Sequence, residues 1–334
     1  METITAAFVR QCLPRRDPEG HKGDFGKVLC ICGSVGYTGA PIFASRAAVR
    51  TGAGLVFLGV PQSVWPVAAV KSDEAMPFPL PETADGKLSL LAEEPVRQRA
   101  AGCDAVLLGC GLGRDWQTDT LVQDLLDMEK PLVLDADGLN AISENAELLQ
   151  KRPAVTVLTP HEGEFLRLGG DLSRGREAAA AVFSQKYGVY LILKGHRTLI
   201  ADPEGRLAVN NTGNCGMAKG GSGDVLAGML LSLLGCSGTA ADADSNQIYD
   251  ELADYYQQKN KDKNVSISSF ALPYLKGETA DPITCSDGAM QTLGALLYEG
   301  LFALDGSFDP QPALAESYTY DAARYTYTIT LRSG

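Results

Sequence analysis

Short, continuous apolar segments that alternate with helical segments constrain the fold of this chain more than any other feature. The apolar segments stop at Gly, Pro or a polar residue, as in KVLCIC, LVFLGVP, AVLLG, PLVLD, AVTVL and VYLIL. Between them lie segments with helical spacing, such as GAPIFASRAAVRT and GREAAAAVFSQKY. Strands buried on both faces are apolar at every position, and helix-connected strands run parallel. The pattern predicts an α/β fold with helices on both faces of a mostly parallel sheet.

Glycine and polar residues follow these predicted strands. They are Gly33 and Ser34, residues 109–113, residues 135–137, residues 159–161, Lys194 and Gly195, and the loop before Asp224. In open α/β sheets, ligands bind beyond the carboxyl ends of the strands. The sequence therefore predicts a ligand site at this edge of the sheet.

The charge balance limits the partners of the chain. The formal net charge of the 334 residues is −12, which argues against nucleic acid as the main partner. An anionic small molecule is still compatible, because backbone N–H groups at helix starts bind phosphate without a net positive charge.

The eight cysteines predict neither a zinc site nor a disulfide framework. No CxxC pair occurs among them. Cys30 and Cys32 lie within an apolar segment and are expected to be buried as small apolar residues. The first residues lack the apolar core of an ordinary signal peptide, so a cytoplasmic location is expected.

The segment AKGGSGDVLAGMLLSLL carries the strongest motif. Gly220, Gly221, Ser222 and Gly223 allow backbone N–H groups to turn toward an anion, and the helix that starts near Asp224 adds its positive dipole end. Asp224 has two interpretations of similar weight, a helix-capping residue or a general base. The spacing is not that of a GxxxxGK[ST] phosphate loop.

Three further motifs each have a structural alternative. Lys194 in LKGHRT is a ligand contact or a solvated surface charge, and His196 beside it is a ligand contact or incidental. In LTPHEGEF, His161 is aimed across the strand ends, or Glu164 merely caps a helix. The DADGLN segment (135–140) holds a metal ion or water, or caps the next helix.

These motifs, in this order, resemble the ADP-dependent NAD(P)H-hydrate dehydratases. The resemblance rests on HKGDFGKVLCICGSVGYTGAPIFASRAAVRTGAG, LLGCGLG, LDADGLNAI, LTPHEGEF, LKGHRT and NTGNCGMAKGGSGDVLAGM, and covers about residues 8–234. It implies a ribokinase-like three-layer fold for a domain at 1–235. It also implies dehydration of hydrated NADH or NADPH with ADP as co-substrate, which yields AMP and phosphate.

The resemblance also implies roles for individual residues. Residues expected to contact the hydrated nucleotide are Ala40, Gly111, His161 and Asp224. Residues expected to contact the adenine nucleotide are Lys194, Gly195, His196, Arg197, Thr198 and Gly223. Asp224 is expected to be the catalytic base, and Mg²⁺ is expected by analogy with phosphoryl transfer, without identified ligands. A homo-oligomer is expected.

The last third of the chain has a different character. Residues 236–334 contain 6 Lys and Arg against 14 Asp and Glu. The segment from 271 onward resembles the beginning of a family 5 solute-binding lipoprotein, and LLGC before Ser237 fits a lipobox. Membrane attachment is expected only if Cys236 is lipidated. Period-two alternation in ESYTYDAARYTYTITL predicts antiparallel strands.

Two alternatives to the dehydratase remain open from the sequence. The same glycine loop and Asp224 would serve a ribokinase-like small-molecule kinase. The second alternative is a non-functional fusion, in which an unrelated α+β or partly disordered tail at 236–334 replaces helices that normally close the first domain and leaves apolar surface uncovered.

Overall fold

The computed structural model describes residues 2–5, 9 and 18–236, together with four strand segments at 302–304, 310–312, 315–321 and 326–331. The chain divides into two compact units, 1–245 and 246–334.

The first unit is built on a ten-stranded sheet. Its strands are β1 (Glu2–Thr3), β2 (Lys27–Ile31), β3 (Leu55–Pro61), β4 (Met76–Leu80), β5 (Ala105–Leu108), β6 (Leu132–Leu134), β7 (Thr156–Leu158), β8 (Tyr190–Leu193), β9 (Thr198–Ala201) and β10 (Leu207–Asn210). They are ordered β1-β10-β9-β8-β7-β6-β5-β2-β3-β4. The strands from β2 to β8 pair in parallel with one another, whereas β9 is antiparallel to both β8 and β10. The predicted, mostly parallel sheet is confirmed.

Helices pack on both faces of this sheet. They are α1 (Gly39–Thr51), α2 (Trp65–Lys71), α3 (Glu93–Ala101), α4 (Trp116–Asp124), α5 (Asp137–Ala141), α6 (Glu162–Arg167), α7 (Arg176–Tyr187) and α8 (Ser222–Cys236). Side chains alternate across each strand, so β2 sends Val28 and Cys30 into one core and Leu29 and Ile31 into the other. The first core includes residues of α1, α2 and α8, and the second includes residues of α3, α4 and α7. Three layers result, as predicted.

The apolar segment that ends at Cys236 is a packed helix of this unit. The residues of α8 that face the core are Ala227, Gly228, Leu231, Ser232 and Gly235. The Cys236 thiol donates to the Phe25 carbonyl oxygen at 3.0 Å. The lipobox-like residues therefore belong to the fold of the first unit. Within the described part of the chain, no helix combines the length and apolar character needed to cross a bilayer.

Gly228 lets α8 lie against α1 without a side chain between the two backbones. A Cβ at this position would lie 2.0 Å from the Ala44 carbonyl oxygen, so the helices would have to separate. We expect Gly228→Ala to lower the free energy of unfolding by about 1–3 kcal/mol or more. Gly39→Ala is the matched control, because a Cβ there meets only the Phe43 ring at 3.7 Å. Equilibrium urea unfolding measures both, and equal stabilities for the two variants would contradict this packing.

The second unit contains two antiparallel pairs among its described segments. Strands β11 (Phe302–Leu304) and β12 (Pro310–Pro312) form one pair, and β13 (Ala315–Asp321) and β14 (Thr326–Leu331) form the other. The antiparallel strands predicted from the alternating pattern are confirmed. The sequence predicts that the rest of the tail is α+β or partly disordered, and that it leaves apolar surface of the first domain uncovered. Both predictions depend on residues that lie outside the described ones.

Candidate active site

The glycine loops after β2 and β5 are hydrogen-bonded to each other at the carboxyl edge of the sheet. The Gly33 N–H donates to the Cys110 carbonyl oxygen at 2.8 Å, and the Ser34 hydroxyl donates to the Gly111 carbonyl oxygen at 2.9 Å. Ser34 and Cys110 are completely buried. The two loops therefore form one connected backbone surface above the sheet.

Gly111 is positioned directly against the start of α1. Its φ is +66°, and a Cβ would lie 2.8 Å from the Ala40 Cβ and 2.9 Å from the Tyr37 Cβ. Only glycine fits this conformation and this spacing. The structure thus brings Ala40 and Gly111 together, and their contact with a hydrated nucleotide stays a prediction.

Lys194 lies between two buried carboxylates. Its Nζ is 2.9 Å from Asp135 Oδ1 and 3.7 Å from Glu164 Oε2. The side chains are 22% exposed for Lys194, 2% for Asp135 and 7% for Glu164. Burial disfavours the ammonium, but Asp135 and Glu164 outweigh it, so the pKa of Lys194 is raised. The interpretation of Lys194 as a solvated surface charge is wrong, because its ammonium group is mostly buried among the site residues.

The parallel sheet brings this ion pair together. Asp135 follows β6 and Lys194 follows β8, on either side of β7. The Lys194 N–H also donates to the Pro160 carbonyl oxygen at 2.8 Å, which fixes the backbone after β8. Asp135 therefore pairs with a cation and does not cap helix α5. The N-cap residue of α5 is Ala136, and no side chain accepts a hydrogen bond there. No group of three or more potential metal ligands occurs among the described residues.

Asp224 lies in the first turn of α8, as predicted, and faces the same cluster. Burial raises the pKa of Asp224 above the ordinary aspartate value, and the Cys110 thiol lowers it. The charge of Asp135 raises this pKa further, whereas the charge of Lys194 lowers it. The pKa of Asp224 is raised overall. A carboxylate that is partly desolvated and close to a cation has the character of a general base.

The Cys110 thiol lies beside Asp135 and influences Asp224. Its Sγ is 3.8 Å from Asp135 Oδ2, and its presence lowers the pKa of the Asp224 carboxyl. A hydrogen bond with Cys32 and complete burial raise the pKa of Cys110 well above the usual thiol value. Cys110 is therefore a neutral donor at physiological pH. The expected burial of Cys30 and Cys32 is confirmed.

The glycine loop before α8 reaches the ion pair. A Cβ on Gly223 would lie 3.5 Å from Lys194 Nζ and 3.6 Å from Asp135 Oδ2. Gly221 has a φ of +89° and adjoins the Phe43 ring, while Gly220 borders open space. Helix α8 begins at Ser222, so the positive end of its dipole and the N–H groups of its first turn lie beside this region. An anionic group next to Gly223 would meet helix N–H groups, the Lys194 ammonium and the Asp135 carboxylate that pairs with it.

Arg176 of α7 holds the turn at residues 195–198. Its Nη1 donates to the His196 carbonyl oxygen at 3.0 Å, and its Nε lies 2.9 Å from Glu162 Oε1. Within the turn, the Thr198 hydroxyl donates to the Gly195 carbonyl oxygen at 3.0 Å. The residues predicted to bind the adenine nucleotide therefore form an ordered turn next to Lys194.

Arg197 has an unusual backbone within this turn. Its φ of +57° is rare for a residue with a side chain, and its Nε donates to Asn211 Oδ1 at 3.1 Å. Such conformations persist where neighbouring contacts impose them, often at ligand sites.

His161 and Glu164 form a capping box at the start of α6. The Glu164 N–H donates to His161 Nδ1 at 3.2 Å, and the His161 N–H donates to Glu164 Oε2 at 2.8 Å. The capping interpretation of Glu164 is confirmed. The His161 ring is half exposed and lies on the same edge as Lys194, to which its strand segment is bridged. Its contact with the substrate stays a prediction.

Fold and site define the class of this protein: an α/β nucleotide-binding enzyme fold of the ribokinase type, with its site at the carboxyl edge of the sheet. A solved ribokinase-like superfamily protein from Enterococcus faecalis matches with a TM-score of 0.61 and 26% identity over 70% of this chain and 80% of its own. Within that class, the chain belongs to the NAD(P)H-hydrate dehydratase family, whose sequence profile matches residues 28–264.

Individual relatives agree with this membership. A bifunctional NAD(P)H-hydrate repair enzyme from Moorella thermoacetica is 45% identical over 70% of this chain and 45% of its own length. An ADP-dependent (S)-NAD(P)H-hydrate dehydratase from Bacillus subtilis is 34% identical over 73% of this chain and 85% of its own. A structure of an ADP/ATP-dependent NAD(P)H-hydrate dehydratase from Bacillus subtilis, co-crystallised with ATP/Mg²⁺, matches with a TM-score of 0.58 at 32% identity over 70% of this chain and 81% of its own. The chain spans less than half the length of the bifunctional relatives it matches.

Proposed function

We propose that this chain dehydrates the (6S)-hydrates of NADH and NADPH, with ADP as co-substrate and AMP and phosphate as by-products. It would then be a hydro-lyase of nicotinamide nucleotide repair. One observation carries the proposal: Asp224 stands in the first turn of α8, beside the Lys194–Asp135 pair and below the glycine loops. The names of the relatives from Moorella thermoacetica and Bacillus subtilis support the substrate class.

The chemistry follows from the poor leaving ability of hydroxide. The C6 hydroxyl oxygen of the hydrate attacks the β-phosphorus of ADP, the bond from that phosphorus to the bridging oxygen breaks, and AMP leaves. Asp224 accepts the hydroxyl proton as this bond forms. The C6–O bond then breaks with the electron pair of the ring nitrogen behind it, and phosphate departs. Loss of a proton from C5 restores the double bond of the dihydronicotinamide.

The charges of the site suit this sequence of steps. The transferring phosphoryl group carries negative charge, and catalysis of its transfer depends on positioning and electrostatic stabilisation. The N–H groups at the start of α8 and the Lys194 ammonium supply positive charge next to Gly223. Glycine at 220, 221 and 223 lets the backbone approach the phosphates closely.

Mg²⁺ would be held at this site mainly by the phosphates of the nucleotide. Asp135 is engaged by Lys194, and the described residues hold no group of three or more potential metal ligands. Mg²⁺ usually binds through one or two carboxylates together with substrate phosphates and water. When bound, it would neutralise phosphate charge.

The proposed function is tested by incubating the full chain with chemically prepared NADH hydrate and ADP. We expect the near-ultraviolet absorbance of NADH to return, with AMP and phosphate formed in equal amounts. A parallel incubation with ATP and vitamin-like alcohols tests the small-molecule kinase. Phosphorylation of an alcohol without recovery of NADH would replace the dehydratase with that alternative.

The pH dependence of turnover should report the environment of Asp224. A general base must be ionised, so activity is lost as the pH falls through its pKa. Because that pKa is raised above the ordinary aspartate value of about 3.9, the acid limb should lie above that value. Removing the thiol donor with Cys110→Ala should move the acid limb to higher pH. Cys30→Ala removes another buried thiol and should leave the limb in place; a Cys110→Ala limb that is unmoved or lower contradicts this assignment.

A further inference from the structure

An open cleft lies at the amino ends of the strands, opposite the candidate active site at their carboxyl ends. Its volume is about 550 Å³, and we define it by Lys27, Leu55, Phe57, Phe78 and Arg99 and name it the Arg99 pocket. Lys27 and Leu55 are the first residues of β2 and β3, so the pocket lies at the amino ends of these strands. At a rise of about 3.3 Å per residue, the length of β3 separates it from the active site by roughly 20 Å.

The fold leaves this cleft because helices cover one face of strands β3 and β4 less completely than the other. The connection from β3 to β4 places α2 on the face that holds Val64 and Ala68. On the other face, α3 packs beside β2, and the rings of Phe57 and Phe78 remain half buried. The volume is within the range of about 300–1,000 Å³ that is usual for small-molecule sites.

Two phenyl rings hold the guanidinium of Arg99 in place. Its Cζ lies 4.7 Å from the Phe57 ring centroid and 5.1 Å from the Phe78 ring centroid. Cation–π contact at these distances attracts the guanidinium to the two rings. Among the described residues, no side chain or carbonyl group accepts a hydrogen bond from this guanidinium. Its N–H donors are therefore available to a ligand.

The charge of the pocket is opposite to that of the chain. Its lining contains the cations of Lys27 and Arg99 and no carboxylate, whereas the net charge of the chain is −12. The Asp104 and Glu94 carboxylates lie behind this lining, where they accept hydrogen bonds from the Lys27 backbone N–H and the Gln98 side chain. Apolar surface from Leu55, Pro95 and the phenyl rings adjoins these cations. A ligand that fits would carry a negative group for the cations and a planar apolar body for the rings.

We propose that the Arg99 pocket binds a small aromatic anion, a carboxylate or phosphate attached to a planar ring, independently of the active site. The anionic group pairs with Arg99 and Lys27, and the ring stacks on the guanidinium and against the apolar wall. This site does not depend on the proposed dehydratase activity.

Calorimetric titration of the full chain with phenyl phosphate and with benzoate tests the proposal. We expect binding of one molecule per chain in the pocket, weakened at least tenfold by Arg99→Gln and several-fold by Lys27→Gln. Inorganic phosphate, which lacks the ring, should bind more weakly than phenyl phosphate. A preference between the two aromatic probes separates a phosphate site from a carboxylate site.

Two control variants locate the binding. Arg50→Gln removes an exposed cation from the last turn of α1 and should leave the affinity unchanged. Asp224→Asn should also leave it unchanged, because the active site is at the other edge. Phe78→Leu keeps apolar volume but removes one ring, and it should also weaken binding. It replaces Arg99→Gln as the test variant if Arg99→Gln does not fold. Absence of binding by both probes, or binding that Arg99→Gln leaves intact, overturns the proposal; so does loss of binding in Asp224→Asn.

Discussion

Replacing Asp224 with Asn is expected to lower dehydratase turnover by about 10²–10⁴-fold, the range that a positioned general base contributes. Asn keeps the size of the side chain but cannot accept the hydroxyl proton. The measurement is the initial rate of NADH recovery from its hydrate at saturating ADP. Glu177→Gln, in the first turn of α7, is the matched control, because it removes an exposed acid from another helix start. A near-normal rate for Asp224→Asn would remove Asp224 from the mechanism.

The same substitution should not destabilise the fold at neutral pH. A carboxyl whose pKa is raised by folding stabilises the folded state when protonated, and that contribution is lost as the pH rises through the folded pKa. At neutral pH the ionised, partly buried Asp224 therefore opposes folding. We expect the melting temperature of Asp224→Asn to be equal to or higher than that of the unmodified chain. A large loss of both activity and stability would indicate a structural role instead.

Replacing Asp135 with Ala is expected to lower the free energy of unfolding by about 3–5 kcal/mol, because it leaves the mostly buried Lys194 without its nearer partner. The loss should fall toward the lower end, since Glu164 remains 3.7 Å from the ammonium. Equilibrium urea unfolding provides the measurement. The double variant with Lys194→Met should recover part of the loss, because no unpaired charge is then buried.

An exposed ion pair supplies the control for this prediction. Arg206 pairs with Asp202 at 2.5 Å, but its side chain is 78% exposed. We expect Arg206→Met to lower the free energy of unfolding far less than Asp135→Ala does, as is usual for surface pairs. Equal losses from Asp135→Ala and Arg206→Met would show that burial does not distinguish the two pairs.

The sequence predicts most of the sheet because buried parallel strands are apolar at every position. It fails at β4, whose segment MPFPL contains Pro77 and Pro79. Proline removes a backbone donor and is tolerated at sheet edges, which is where β4 lies. The helix α3 is also hard to identify, because EEPVRQRAA buries only Val96 and Ala100.

The sequence predicts which edge of the sheet carries the site, but not which of its side chains form ion pairs. Asp135 and Lys194 each follow a predicted strand, so their common edge could be inferred from the sequence. Their ion pair joins residues 59 positions apart, and it depends on β7 lying between β6 and β8. The thiol of Cys110 looks like an ordinary core cysteine in the sequence. Only the packed structure places it 3.8 Å from Asp135, where it also lowers the pKa of Asp224.

The central claim is that the C6 hydroxyl leaves as phosphate after it has attacked ADP. It is tested most directly with NADH hydrate that carries oxygen-18 in the C6 hydroxyl group, incubated with ADP and the full chain. The account predicts one labelled oxygen in each phosphate released, with none in AMP. Label found in the solvent water, together with unlabelled phosphate, would contradict phosphoryl transfer to the hydroxyl.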